Sequence, residues 1–271
     1  MAALFALVAY GYLNELATPL VRHAVVRLPH WPVSKPSVKL LLLSDTHVQG
    51  PDMPPSRLDR IVAQVNALQP DIIVAAGDFI SDKVIGTRRY SMAEAIAPLG
   101  ALHAPLGVFA VLGNHDHWRN AAKARAALAD AHIKVLDNDA VEAGPIALGG
   151  VDDRYNNSSK LAKAVAKMRV LPGARVFVAH GPDEFTRLPA DIPLMLAGHT
   201  HCGQIVLPFF GPIVSGSDYG NRYACGIIRE NGRILIVSAG LGTSHVPLRF
   251  GAHPDMWLIQ LAGSSTRQET K

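Results

Sequence analysis

Residues 38–47, VKLLLLSDTH, join a short apolar run to a polar ending that carries Asp45 and His47. A continuous apolar run of this length predicts a strand that is buried on both faces of its sheet. The next stretch, PPSRLDRIVAQVNALQP, is predicted to be a helix with its apolar residues at helical spacing: Leu58, Ile61, Val62, Val65 and Leu68. A buried strand followed by an amphipathic helix is the repeating unit of α/β domains.

The same alternation continues along the chain. Further buried strands are predicted at residues 71–76, 107–112, 175–179, 193–197, 234–239 and 256–261. Helices are predicted at residues 91–102, with a proline interruption, and at 120–133 and 158–171, and a hairpin is predicted at 140–151. The sequence therefore predicts an α/β domain whose sheets are covered by helices.

Composition excludes some classes of protein. The chain has 271 residues, of which 49% are hydrophobic, and this is too apolar for a disordered protein. Its net charge is +4, but lysine and arginine are scattered, so no nucleic-acid partner is expected. A weak attraction to anionic lipid or phosphate remains open. Cys202 and Cys225 belong to no CxxC motif, and both are expected to be reduced thiols.

The first thirteen residues, MAALFALVAYGYL, are apolar and carry no charged side chain. A membrane-spanning helix needs about 20 such residues, so two interpretations stay open: a helix that covers part of the core, or a membrane contact or the end of an anchor helix, which we favour. Arg22 and Arg27 follow, with no lysine or arginine before them, and this asymmetry predicts a domain on the cytoplasmic face of a membrane. We expect an N-terminal segment and linker at residues 1–37, the α/β domain at 38–262 and a polar tail at 263–271.

Polar side chains follow five of the predicted strands. They are Asp45 and His47, then Asp78, then Asn114, His115 and Asp116, then His180, and finally His199 and His201. Any one of them alone is typical of a turn or a helix cap. Ligand sites of α/β sheets lie at the carboxyl ends of the strands, so the whole set predicts one shared site. Imidazoles, carboxylates and an amide oxygen together suit a divalent transition metal.

The motifs DTH, GD, GNHD, AHGPD and GHTH, taken together, resemble those of the calcineurin-like metallophosphoesterases, over residues 38 to about 262. The resemblance implies a four-layer α/β/β/α sandwich of two mixed sheets. The stretches GHTHCGQ, SAGLGTSHVPLRFG and NELATPLVRHAVVRLP resemble the membrane-associated branch typified by YkuE and YaeI. Cys202 departs from that branch, in which glycine is expected.

The resemblance also implies roles for these residues. Asp45, His47 and His201 would bind one metal ion, Asn114, His180 and His199 a second, and Asp78 would bridge them. The expected cofactors are two divalent ions, Mn²⁺ before iron or zinc. His115 would be the general acid. His245 and Arg249 are expected to line the substrate side, with loop packing as the alternative.

The function expected from this set is two-metal hydrolysis of phosphate esters, in which a bridging hydroxide attacks phosphorus. Phosphodiester or pyrophosphate substrates are favoured, lipid-linked ones among them. Two alternatives remain: a phosphomonoesterase that uses the same site, and a non-catalytic metal-binding scaffold.

Overall fold

The computed structural model describes residues 1–264, so most of the expected polar tail, residues 265–271, lies outside the described range. The strands are β1 (Leu20–Leu28), β2 (Val38–Leu43), β3 (Ile72–Ala75), β4 (Val108–Ala110), β5 (Lys134–Val135), β6 (Asp139–Ala143), β7 (Ile146–Gly150), β8 (Ala174–Val178), β9 (Leu194–Ala197), β10 (Val206–Leu207), β11 (Gly211–Pro212), β12 (Gly226–Glu230), β13 (Arg233–Val237) and β14 (Asp255–Gly263). The helices are α1 (Ala2–Glu15), α2 (Pro55–Ala67), α3 (Met92–Ile96), α4 (Asn114–Asp130) and α5 (Leu161–Arg169), with short 3₁₀ turns elsewhere.

Two six-stranded mixed sheets form the centre of the fold. Their strand orders are β1-β14-β2-β3-β4-β5 and β12-β13-β9-β8-β7-β6, and β10 and β11 form a separate hairpin. In the first sheet only β14 and β2 are antiparallel; in the second the outer pairs β12–β13 and β6–β7 are antiparallel. The parallel strands β2, β3 and β4 and, in the other sheet, β8 and β9 therefore end at one edge of each sheet.

The apolar run in β2 is continuous because helices and the other sheet cover both of its faces. Leu40 and Leu42 pack in the core between the two sheets, whereas Leu41 and Leu43 face the core beneath α2, α3 and α4. A third apolar cluster lies between the second sheet and α5. The order of layers is helix, sheet, sheet, helix, which confirms the predicted α/β sandwich of two mixed sheets.

The predicted domain boundary at residue 38 is wrong, because β1 belongs to the first sheet. It pairs in parallel with β14 over its whole length, from Leu20 opposite Asp255 to Leu28 opposite Gly263. The sequence pattern concealed this strand: the exposed positions between buried Ala24, Val26 and Leu28 are Val25 and Arg27, so polar and apolar residues do not alternate along it. Residues 1–37 therefore do not form a separate segment and linker.

The first two turns of α1 project from the domain, and the side chains of residues 1–8 are exposed on every side. Asn14 and Glu15, at its other end, are buried. Within residues 1–264, no helix combines the length and apolar character needed to cross a membrane.

The expectation of reduced thiols is also wrong, because Cys202 and Cys225 form a disulfide. The cysteines are 23 positions apart, so no short motif announces the pairing. The fold brings them together: the hydroxyl of Thr200 donates a hydrogen bond to the carbonyl of Ala224 at 2.7 Å.

Glu15 links α1 to two buried arginines. Its carboxylate accepts hydrogen bonds from Arg57 at 2.9 Å and from Arg249 at 2.7 Å, and all three side chains are buried. Arg249 also donates to the main-chain carbonyls of Ala239 and Gly240. Because charges in an apolar interior need a partner, this carboxylate holds the base of α1 and the segment around Arg249 against the domain.

We therefore expect Glu15→Gln to lower the free energy of unfolding by about 3–5 kcal/mol, because it leaves two buried guanidinium groups without a counter-charge. The matched control is Asp139→Asn, which removes one partner of an exposed ion pair with Lys167 and should change the free energy by less than about 1 kcal/mol. Urea denaturation of both variants measures the difference. Equal effects would show that the buried carboxylate does not hold the two arginines.

Candidate metal centre

The carboxyl ends of strands from both sheets meet at one edge of the sandwich. Asp45 and His47 follow β2, Asp78 follows β3, and Asn114 begins α4 just after β4. From the second sheet, His180 follows β8, and His199 and His201 follow β9. The structure thus brings together all seven side chains that the sequence predicts as metal ligands.

Three of them form a first cluster. The Nε2 atoms of His47 and His201 are 3.1 Å apart, and each is within 3.7 Å of Asp45 Oδ1. The Nδ1 atoms of both histidines are buried without a hydrogen-bond partner. All three side chains are buried.

A second cluster surrounds His180. Its Nε2 atom lies 3.2 Å from Asn114 Oδ1, 3.1 Å from His199 Nδ1 and 3.2 Å from Asp78 Oδ2. The same oxygen of Asp78 is 3.5 Å from His47 Nε2 in the first cluster. Asp78 therefore stands between the clusters, as a bridging ligand would.

Hydrogen bonds from the two histidines of the second cluster to main-chain carbonyls leave their other ring nitrogens available to bind a cation. Nδ1 of His180 donates to the carbonyl of Ala76 at 2.7 Å, and Nε2 of His199 donates to the carbonyl of Gly216 at 3.0 Å. In the neutral imidazoles, the opposite nitrogens then carry lone pairs that face each other and the oxygen of Asn114. Lone pairs at this spacing repel unless a cation lies among them, so the donor set fits a divalent metal ion.

The backbone is strained at these positions. Five of the seven residues have a left-handed conformation, with φ of 52° at Asp45, 43° at His47, 57° at Asp78, 71° at His199 and 51° at His201. Aspartate and histidine are among the residues that enter this region most readily, but the conformation still costs on the order of 1 kcal/mol or more. Clustered strain of this kind is typical of functional sites.

The charges of the two clusters shift each other's protonation. Burial alone would raise the pKa of Asp78, but the imidazoles of His180 and His115 hold it well below its usual range. Burial lowers the pKa of His180, yet the Asp78 carboxylate outweighs it and raises that pKa to about 10. Burial and the neighbouring His180 lower the pKa of His199 to about 4. The raised pKa puts a proton on Nε2 of His180 near neutral pH, beside the Asp78 carboxylate, and a metal ion that binds there would replace that proton.

His115 lies beside the clusters and has a partner that sequence reasoning missed. Its Nδ1 atom is 2.5 Å from Asp82 Oδ1, and its ring is perpendicular to that of His47, with 4.7 Å between the centroids. A carboxylate on Nδ1 fixes the ring orientation and leaves Nε2 directed elsewhere. The signal available in the sequence was weak: Asp82 follows Asp78 by four residues in GDFISD.

Asp116 supports the site without joining it. Its carboxylate accepts main-chain hydrogen bonds from Asp78 at 2.9 Å, Phe79 at 2.8 Å and Gly113 at 2.9 Å. Burial and the charge of Asp78 raise the pKa of Asp116 to about 7. The loop that carries Asp78 is thereby fixed to the first turn of α4.

A cavity of about 280 Å³ opens beside the clusters. His115, His199, His201 and His245 contribute to its lining. Arg249 does not, and its predicted place on the substrate side is wrong: the side chain is fully buried against Glu15. The remaining wall is largely apolar and includes Trp118, Ile205, Ile213, Val214 and Val246.

Comparisons with known proteins show which family the chain is similar to. A family model described as calcineurin-like phosphoesterase matches residues 38–203. The chain is 30% identical over 274 residues to a Danio rerio protein named "Transmembrane protein with metallophosphoesterase domain", a match that covers 94% of this chain and 60% of the relative. It is 28% identical over 273 residues to "Uncharacterized metallophosphoesterase YkuE" of Bacillus subtilis (strain 168), a match that covers 94% of this chain and 91% of the relative.

Among solved structures, the protein TT1561 of Thermus thermophilus has a TM-score of 0.48 and 14% sequence identity, and the match covers 76% of this chain and 91% of that one. The chain spans about 60% of the length of the Danio rerio relative and 58% of a similar Bos taurus protein of the same name.

Asp78→Asn should lower the metal content of both clusters, because one carboxylate oxygen lies next to histidines of each. His180→Ala should mainly affect the second cluster. Inductively coupled plasma mass spectrometry on the purified proteins, with Asp139→Asn as a surface control, gives the metal content per chain. Full metal occupancy in Asp78→Asn would contradict the bridging role.

Proposed function

This chain belongs to the calcineurin-like phosphoesterase family, as its motifs predicted, and we propose that it is a two-metal hydrolase of phosphate esters. The observation that carries the proposal is the pair of donor clusters joined by Asp78. Asp45, His47 and His201 would hold one ion, Asn114, His180 and His199 the other, and Mn²⁺ is the ion proposed first. Two such ions supply Lewis acidity for the phosphate oxygens and lower the pKa of the attacking water.

Side chains of the protein would supply a proton to the leaving group and hold the metal ligands in position. His115 lines the cavity next to the clusters, and its Nδ1 atom is bound to Asp82, so Nε2 would hold the proton for the leaving oxygen. Ser44 donates a hydrogen bond to Asp45, and the main-chain N–H of His199 donates to the same carboxylate at 3.0 Å, so that ligand keeps one orientation.

We propose phosphodiesters or pyrophosphates, before monoesters, as the substrates, and the lining of the cavity supports this choice. One end is occupied by the donor clusters, and the remaining wall is largely apolar, which gives the second substituent of a diester a place to bind. A lipid-linked substrate agrees with this wall. A monoester would leave the same surface uncovered.

We also propose that the protein works at a membrane surface. The relatives from Danio rerio and Bos taurus are named transmembrane proteins, and α1 exposes apolar side chains on all sides. The expected cytoplasmic face is not supported. Arg22 and Arg27 lie within strand β1, where Arg22 pairs with Asp255, and the Cys202–Cys225 disulfide is typical of an oxidising compartment.

The test is hydrolysis of bis-p-nitrophenyl phosphate beside p-nitrophenyl phosphate, with and without added Mn²⁺, and with Asp78→Asn as the blank. We expect metal-dependent turnover of the diester that exceeds turnover of the monoester. The reverse preference would indicate a phosphomonoesterase. No turnover of either ester by protein that holds metal would contradict the catalytic proposal and favour a scaffold.

His115→Ala should reveal the proton donor through the leaving group. With an alkyl phosphodiester, whose leaving alkoxide needs a proton, we expect kcat to fall by about 10²–10⁴-fold. With bis-p-nitrophenyl phosphate the fall should be much smaller, because nitrophenolate leaves without a proton near neutral pH. Asp82→Asn should show the same selectivity to a lesser degree. Equal falls for both esters, at unchanged metal content, would instead assign His115 to phosphate binding.

A further inference from the structure

A second apolar surface lies beside the cavity. The apolar hairpin, residues 205–214, includes β10 and β11, and the longer stretch 203–217 contains no charged side chain. At its tip Phe209 is 105% exposed and Phe210 83% exposed, and Ile213 and Val214 are exposed as well. Large apolar side chains that are exposed next to one another mark a binding surface on soluble proteins.

The base of the hairpin is fixed to the base of α1. The main-chain N–H of Val206 donates to the carbonyl of Phe250 at 2.8 Å, and that of the neighbouring Arg249 donates to the carbonyl of Gly11 at 3.0 Å. The ring of Phe250 packs against Gly11, where a Cβ atom would overlap it, and lies 5.9 Å from the ring of Tyr10. The hairpin and the helix therefore project from adjoining parts of the surface.

The hairpin is also adjacent to the second donor cluster. Ile205, Ile213 and Val214 line the cavity together with His199. Just beyond the hairpin, the carbonyl of Gly216 accepts the hydrogen bond from His199. Whatever covers the hairpin therefore lies at the mouth of the cavity.

The uncharged, apolar side chains of the apolar hairpin and of α1 suit contact with lipid. A protein partner covers one side of a helix and surrounds its apolar centre with a polar rim. Here residues 1–8 of α1 are exposed on every side, and neither residues 1–14 nor 203–217 carry a charged side chain that could form such a rim. Uncharged aromatic and aliphatic side chains gain most where hydrocarbon surrounds them.

We propose that the apolar hairpin and α1 together dock the protein on a lipid bilayer, with the mouth of the cavity at the level of the head groups. The consequence for substrate, which rests on the proposed function, is that the phosphoester is presented by the bilayer itself. Because the surface is uncharged, docking depends on apolar burial and not on attraction to anionic lipid.

Sedimentation of the full chain with phosphatidylcholine vesicles tests the proposal. Phe209→Ser with Phe210→Ser should lower the partition coefficient by about tenfold or more, since two aromatic side chains no longer enter the bilayer. Phe5→Ser with Leu7→Ser should lower it comparably. Val33→Ser with Val170→Ser removes equally exposed apolar side chains elsewhere and should leave binding unchanged. Raising NaCl from about 50 to about 500 mM should not release the protein.

Three results would overturn the proposal: no binding by the unsubstituted chain, binding unaffected by the hairpin substitutions, or release by salt. A hairpin variant that binds vesicles normally but has lost self-association in solution would assign the surface to a second copy of the chain. Hydrolysis of soluble bis-p-nitrophenyl phosphate is measured in parallel and should be equal in the hairpin variant and the unsubstituted chain. An inactive unsubstituted chain would count against the proposed function, while the vesicle result would still decide docking.

Discussion

Buried lone pairs that converge from two sheets are the constraint on which the rest of this structure depends. Nitrogen and oxygen atoms of His180, His199 and Asn114 lie about 3 Å apart with their protons directed outward, to the carbonyls of Ala76 and Gly216 for the two histidines. Such an arrangement is unfavourable by itself and becomes favourable around a cation. The left-handed backbone at five of the donor residues adds a further local cost. Burial of apolar side chains in the three clusters of the sandwich offsets the cost of the converging lone pairs and of the left-handed backbone.

Two buried carboxylates hold the frame around this centre without belonging to it. Asp116 joins the start of α4 to the loop of Asp78 through main-chain hydrogen bonds, so the distance between strands β3 and β4 is kept at the point where their ligands emerge. Glu15 joins other segments in a comparable way, because its single carboxylate binds both Arg57 and Arg249. Arg249 in turn binds carbonyls of the loop after β13, which passes close to the backbone of Asp45. The positions of the donor residues therefore depend on polar groups that do not themselves line the cavity.

The sequence predicted the parts of the fold in which one physical signal dominates. Strands such as β2 and β9 are covered on both faces, so their apolar runs are continuous, and the side chains that follow them could be assigned to one edge. β1 was missed because its sequence, LVRHAVVRL, neither alternates polar and apolar residues nor forms a continuous apolar run, and its partner β14 is more than 200 positions away. The disulfide and the partners of Arg249 depend on the same kind of distant contact. Asp82 lacked a signal because nothing in GDFISD distinguishes a partner of His115 from a turn residue.

The disulfide separates changes at the tip of the hairpin from the position of His201. Cys202, next to His201, and Cys225, just before β12, close a covalent ring around the segment that includes the hairpin. Both ends of that ring are anchored to the domain, so its middle can lengthen or change sequence while His201 keeps its position. Loop-closure entropy rises slowly, by about 0.6 kcal/mol for each doubling of length. The tip of the ring around Phe209 can thus change in length or sequence while His201, and Gly216 that binds His199, keep their positions.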